Sequence, residues 1–305
     1  MRRRQFLLSV AAGVPVLGAL AAGTVHARQQ EADPTADLTV ANPAFAPGKG
    51  PRLAVDQGHN NFHTVEGRYA PFAAVARADG YRVSGLGMRF DQAALSEVDL
   101  LVVANPLAAE NLGNWRLPTP GAYTPEEVAA VKAWVEAGGG LLLIADHMPF
   151  PGGAEPLARA FGFSFDNGFA QKTGGGPEFF QRQDGSLSEH AITRGIDRVQ
   201  SFTGSSFVAP PEAQPLMTLK GGWSVALPEV AWEFDAKTRR IDGEGRLRGA
   251  ALIVGRGRVV VMGEAAMFTA QAAGPQKRKM GFNAPTASRN KAFLLNVLHW
   301  LTPPP

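Results

Sequence analysis

The apolar positions of this chain change period in a regular order from about residue 50 onward. "RLAVD" (52–56) is a short continuous apolar run that reads as a buried strand. "GRYAPFAAVARADGY" then spaces Tyr69, Phe72, Val75 and Ala76 as one face of a helix, stopped at Gly80. "YRVSGLG" returns to strand, and "VDLLVVANP" (98–106) is apolar without alternation, the pattern of a parallel strand covered on both faces. "TPEEVAAVKAWVEAGGG" opens with Thr124 as N-cap, Pro125 and two acids. It carries Val128, Val131, Trp134 and Val135 on one side and ends in glycines. "GLLLIADH" (140–147) predicts the next buried strand and "AEPLARAFGF" a short helix. "AALIVGRGRVVVMGEAAMF" predicts a hairpin about Gly255-Arg256-Gly257, and "NKAFLLNVLHWL" a closing amphipathic helix before "TPPP".

Two stretches depart from this rhythm. Residues 28–49 are polar and rich in Pro and Ala, and read as a linker or loosely docked arm. Residues 164–248 contain "KTGGGPEFF", "FTGSSF" and "APPEAQP", and read as a β-rich insertion or irregular lid. Strand–helix alternation around them predicts a single α/β domain over 50–305, with a mostly parallel sheet and helices on both faces.

The first 27 residues read separately. Three arginines precede an apolar run broken by Gly13, Pro15 and Gly18, and Val25-His26-Ala27 has the form of a cleavage site. Arg3-Arg4-Gln5-Phe6-Leu7 resembles a twin-arginine export signal, so a periplasmic or secreted location is expected, with no membrane insertion after cleavage. The 30 Lys and Arg face 27 Asp and Glu, and three of the arginines belong to this leader. The remainder is therefore balanced, and no electrostatic case exists for a nucleic-acid partner. The chain has no cysteine, which removes disulfides, thiolate catalysis and Cys-ligated metals.

In open α/β sheets, ligands bind beyond the carboxyl ends of the strands. The first strand delivers Asp56, His59, Asn60 and His63 there; later strands deliver Asn105, then Asp146 and His147, then Glu264. Convergence of these groups on one rim would make a pocket for a small polar molecule, with His147 or His59 as general acid–base and Asp146 or Glu264 orienting it. His59 and His63, four apart, together with Asp146 and His147 form a candidate ligand set for Zn or Mn. The sequence reads His-Asn-Asn-Phe-His, however, with no Glu beside the first His, so it is not the zincin pattern. Asp56 and Asn60 are equally suited to capping, and His63 to ordering a turn. His190, in "SEHAITRG", is either a ligand contact or the residue that orders that turn. Trp115, Trp223 and Trp232 are either a sugar-stacking groove or core anchors.

The order "RLAVDQGHNNFHT", "DLLVVANP", "EEVAAVKAWVEAGGGLLLIADHMPFPGGAEPLARAFGF", "HAITRG", "GRVVVMGEAAMF" and "NKAFLLNVLHWL" resembles the DUF4350 / class I glutamine amidotransferase-like superfamily, which takes in the ThuA-like proteins linked to sugar metabolism. The resemblance covers roughly residues 50–302 and implies a flavodoxin-like sheet. In the amidotransferases a comparable strand-to-helix elbow carries a nucleophilic Cys; here that elbow reads Ala145-Asp146-His147, so Cys-dependent glutamine hydrolysis is excluded. What carries over from the resemblance is location: it implies a pocket where Asp146 and His147 leave their strand, a fold and a site but no reaction. The ligand expected there is a small polar molecule such as a carbohydrate. Three readings stand: a protein that binds or processes a small polar ligand, a non-catalytic scaffold domain of an envelope complex, and a Zn- or Mn-dependent hydrolase.

Overall fold

The computed structural model describes Gln30–Thr302. The leader assigned to residues 1–27 lies outside the described residues. In chain order the elements are β1 (Gln30–Ala32), β2 (Arg52–Asp56), α1 (Ala70–Ala78), β3 (Arg82–Leu86), α2 (Gln92–Ser96), β4 (Leu100–Ala104), α3 (Pro125–Glu136), β5 (Gly140–Ile144) and α4 (Phe150–Ala160). A run of strands follows: β6 (Ser164–Lys172), β7 (Glu178–Gln181), β8 (Arg198–Ser201), β9 (Gly204–Val208), β10 (Gln214–Thr218), β11 (Trp223–Leu227) and β12 (Arg239–Asp242). The chain ends with β13 (Leu247–Val254), β14 (Gly257–Met262), β15 (Ala270–Ala273), β16 (Arg278–Gly281) and α5 (Asn290–Leu301).

The main sheet has two halves. β3, β2, β4, β5 and β14 lie side by side in that order, and all are parallel. The strands β4 and β5 are buried at every position, as their unbroken apolar sequences require. One face carries α1 and α5 through Phe72, Val75, Phe293, Leu294 and Val297. The other carries α2, α3 and α4 through Leu95, Val131, Val135, Ala154 and Leu157. α3 starts as its sequence predicts: the Thr124 hydroxyl accepts from Glu127 N, and the Glu127 carboxylate accepts from Thr124 N.

From β14 the sheet continues antiparallel through β13, β9, β6, β11 and β12, with β10 also on β13. The stretch 164–248 therefore extends the sheet through β6, β9, β10, β11 and β12, while β7 and β8 pair with each other in a separate two-stranded sheet. A strand and a loop of it reach the strand ends: Met148 N donates to Gly168 O of β6, and Ala231 N donates to Trp115 O at 2.8 Å, pinning the loop after β11 onto the loop after β4.

The polar arm before β2 is docked, not loose. β1 adds antiparallel to β15, which pairs with β16 in a separate three-stranded sheet. Phe45 packs edge-on against Tyr81 at 5.3 Å, and buried Asp33 accepts hydrogen bonds from Lys279 and Asn283. No helix among the described residues is long and apolar enough to cross a membrane.

Candidate functional site

Register decides which strand-end groups meet. Met262 of β14 pairs with Ile144 of β5, and Ile144 pairs with Ala104 of β4. Asp146 and Glu264 each lie two residues beyond a paired position, so parallel strands about 4.8 Å apart set them side by side. Asn105 follows Ala104 directly and takes φ +54°, a left-handed turn that Asn tolerates better than most residues. This turn lets the Asn105 Oδ1 accept from Asp146 N at 2.8 Å while its Nδ2 lies 3.2 Å from His63 Nδ1.

These residues wall a cavity of about 480 Å³. His63, Asn105, Asp146, His147 and Glu264 line it, and Phe62, Trp115, Phe150 and Trp232 supply an aromatic side. The small sheet closes the mouth with Gln30, Gln271 and Arg278. The His147 ring stacks on Phe169 at 4.7 Å and 8° and meets Trp232 edge-on at 4.6 Å. Its Nδ1 donates to Met148 O at 2.7 Å. Burial lowers the His147 pKa, the Asp146 charge opposing, so the imidazole is neutral with its lone pair on Nε2.

The two carboxyls behave as one titrating unit. Burial raises Asp146 and raises Glu264 well above the usual carboxylate range, and each charge raises the cost of the other. Against this, the Glu264 oxygens accept from Ala266 N at 2.7 Å and Met267 N at 2.9 Å. Fully buried Arg248 adds a favourable charge, with Nη2 3.4 Å from Glu178. The backbone donors favour an ionised Glu264, while burial and the Asp146 charge oppose it, and the net direction is upward.

Asp56 and His59 form a second constellation that does not line this cavity. His59 Nδ1 lies 2.8 Å from Asp56 Oδ1, and its Nε2 lies 3.0 Å from Glu127 Oε1. Asp56 also accepts from Asn61 Nδ2 and Tyr123 OH. The ring sits between Phe90 at 4.6 Å and Tyr123 at 4.3 Å. Burial pulls the His59 pKa down, but Asp56 and Glu127 outweigh it, so it is raised. Both nitrogens are spent on carboxylates. His59 thus has no valence left for substrate, and it does not join His63, Asp146 and His147 around an ion. Among the described residues no three His, Asp or Glu side chains are grouped to hold a metal.

The remaining candidates lie apart. Asn60 is exposed and donates to Leu107 O. His190 accepts from Ile192 N at 3.1 Å and packs on Trp300, ordering its turn. Trp223 stacks on Phe180 in the core. Sequence reasoning did not single out Gln271, Arg248, Phe62 or Phe150. Gln271 had a usable signal, since it is the one polar side chain in the apolar stretch "AQAA" of β15. Arg248 had none.

No family model matches the chain, and no curated protein matches it. Solved structures do. The mmIFT52 N-terminal domain aligns over 83% of this chain and 98% of its own at 14% identity, with a TM-score of 0.56. The cytoplasmic protein STM3548 from Salmonella typhimurium aligns over 82% of this chain and 98% of its own at 13% identity, with a TM-score of 0.51. A ThuA-like protein from Bacteroides uniformis aligns over 86% of this chain and 94% of its own at 12% identity, with a TM-score of 0.46. At such identities the likeness is one of fold alone.

Proposed function

We propose that this chain is an exported, amidotransferase-like α/β protein whose strand-end cavity binds a small polyhydroxylated ligand of the carbohydrate class. In this reading His147 is the acid–base group, and the Asp146–Glu264 pair is its proton partner. The carrying observation is one cavity lined by His147, Asp146 and Glu264 and walled by tryptophan and phenylalanine, with burial holding the imidazole's pKa down and both carboxyls' up. Aromatic faces suit the C–H faces of a sugar ring, and buried carboxyl and imidazole groups suit its hydroxyls. The parallel strand order β3-β2-β4-β5-β14 supports a flavodoxin-like half-sheet, with the cavity at its carboxyl ends. The arginine-led first residues support export. With no cysteine in the chain, the thiolate chemistry of true amidotransferases has no carrier.

Trp115 and Trp232 line the cavity, so their fluorescence reports occupancy. Titration with a panel of neutral mono- and disaccharides should quench it saturably, whereas L-glutamine should not. His147→Ala should abolish the response while the unfolding midpoint stays close to that of the parent. Absence of any saccharide response, or an unchanged response in His147→Ala, sinks the reading. A non-catalytic binding domain is separated by turnover: saccharide binding with no chemical change in the ligand would assign the cavity to recognition alone.

A further inference from the structure

The hydrogen bonds around His63 have a direction that can be worked out atom by atom. The backbone N–H of Asp146 can only donate, so the Asn105 oxygen must face it. The Asn105 NH2 therefore faces His63 Nδ1 at 3.2 Å and donates to it. His63 is fully buried, burial lowers its pKa far below the ordinary 6.5, and it is neutral. A neutral imidazole with an accepting Nδ1 carries its proton on Nε2. The Gln271 side chain is placed with its Nε2 3.3 Å from the His63 Nε2, which sets two N–H donors face to face. An N–H can meet only an oxygen, so the Gln271 carbonyl oxygen must face His63. The Gln271 NH2 then takes the other side of the amide, where the structure places a buried Oε1 that no donor meets.

Gln271 is fully buried, lies in β15 between Ala32 of β1 and Met280 of β16, and lines the cavity. Trp232 also lines the cavity, its buried indole Nε1 has no partner, and it takes φ +70°. Such a conformation is an outlier for a bulky residue and is held by the pinned loop.

Resting on the carbohydrate reading above, we infer that Gln271 and Trp232 are ligand-contacting, specificity-determining residues that each donate an N–H to an oxygen of a polyhydroxylated ligand. The chain Asp146 N–H to Asn105, Asn105 to His63, and His63 to Gln271 fixes the polarity of the first donor. Donors at Gln271 and Trp232 then complement acceptors at His147 Nε2 and Asp146. A hydroxyl both accepts and donates, so a polyol satisfies both sets at once. A ligand of donors only, such as an alkylammonium ion, would leave the two N–H groups buried and unpaired.

Two measurements on the mature full-length chain test this. Long-range 1H–15N correlation of the histidine rings in ligand-free protein should give His63 as the neutral Nε2–H tautomer. A neutral Nδ1–H form reverses the chain and overturns the inference whether or not any ligand is known. Titration with the saccharide panel should shift the Gln271 side-chain amide and the Trp232 indole N–H. Gln271→Glu and Trp232→Phe should each weaken binding by on the order of tenfold, the second with its ring stacking kept. Gln271→Met provides a neutral replacement should the glutamate disturb folding, and should weaken binding likewise. Saccharides that shift His147 but leave the Gln271 and Trp232 signals unmoved, or that bind these folded variants as they bind the parent, overturn the inference alone. A panel that moves no cavity signal overturns the carbohydrate reading and the ligand half of this inference together, while the tautomer still decides the polarity of Gln271.

Discussion

Asp56–His59–Glu127 and Asp146–His147–Glu264 have the same composition, one imidazole and two carboxyls, and each takes its imidazole and a carboxyl from the end of a parallel strand, with Glu127 added from the first turn of α3. They differ in saturation. Around His59 both ring nitrogens meet carboxylates, and the ring lies between two aromatic side chains. Around His147 one nitrogen is bonded to a backbone carbonyl, and Asp146 and Glu264 line with it a cavity of about 480 Å³. A closed set fixes structure: it ties the loop after β2 to the first turn of α3. An open set keeps valences for something that is not protein. Composition and position on the strand do not separate the two; the count of satisfied hydrogen bonds does.

The comparison can be broken in several ways. The largest effect is expected on stability in His59→Ala, which strands two buried carboxyls and should cost about 3–5 kcal/mol by denaturant unfolding. A loss under about 1 kcal/mol would mean that the closed set is not structural. His147→Ala should cost only about 1–2 kcal/mol, because water can fill the space beside an existing cavity, but it should erase the saccharide response. Equal costs in the two variants would erase the distinction drawn here.

The pH dependence of the same two histidines should run in opposite senses. The folded pKa of His59 is raised above the ordinary 6.5, so its contribution is full below about pH 6.5 and is lost as pH rises through the folded value. The folded pKa of His147 is lowered, so its contribution is full above about pH 6.5 and is lost as pH falls toward the folded value. Stability differences between the parent and His59→Gln should therefore shrink with rising pH, and those for His147→Gln should shrink with falling pH. Identical trends would contradict the assignment. The smallest effect is expected for Thr124→Ala, which removes the cap behind Glu127 and should cost about 1 kcal/mol by thermal unfolding, leaving the saccharide response intact.

Much of the parallel half is readable in the sequence, because its central strands β4 and β5 are buried on both faces and its helices carry an apolar stripe, whereas the edge strand β3 is largely exposed. "DLLVVA" and "GLLLIA" have few alternatives as covered strands, and Thr124-Pro125-Glu126-Glu127 marks a helix start through local hydrogen bonding alone. The antiparallel half is less legible. Its strands are short, its pairings skip along the chain, and "KTGGGPEFF" or "FTGSSF" carry no local signal for the partner they will meet. The docking of 30–49 is hidden for the same reason, since β1 exists only because β15 offers it an edge.

Residues 53–64 show where the sequence stops and the tertiary structure begins. Local patterning alone dictates a buried strand ending at Asp56, a polar turn with His59 and His63 beyond it, and similar polar ends on three later strands. Those properties follow from periodicity and side-chain chemistry, which act over a few residues. Only the tertiary structure decided that His59 turns to Glu127, 68 positions away, whereas His63 turns to Asn105 and Gln271 at the cavity wall. Strand order and register set those distances, and an imidazole takes its role from the partners within about 3 Å. The roles of both histidines were therefore fixed by residues remote in the chain.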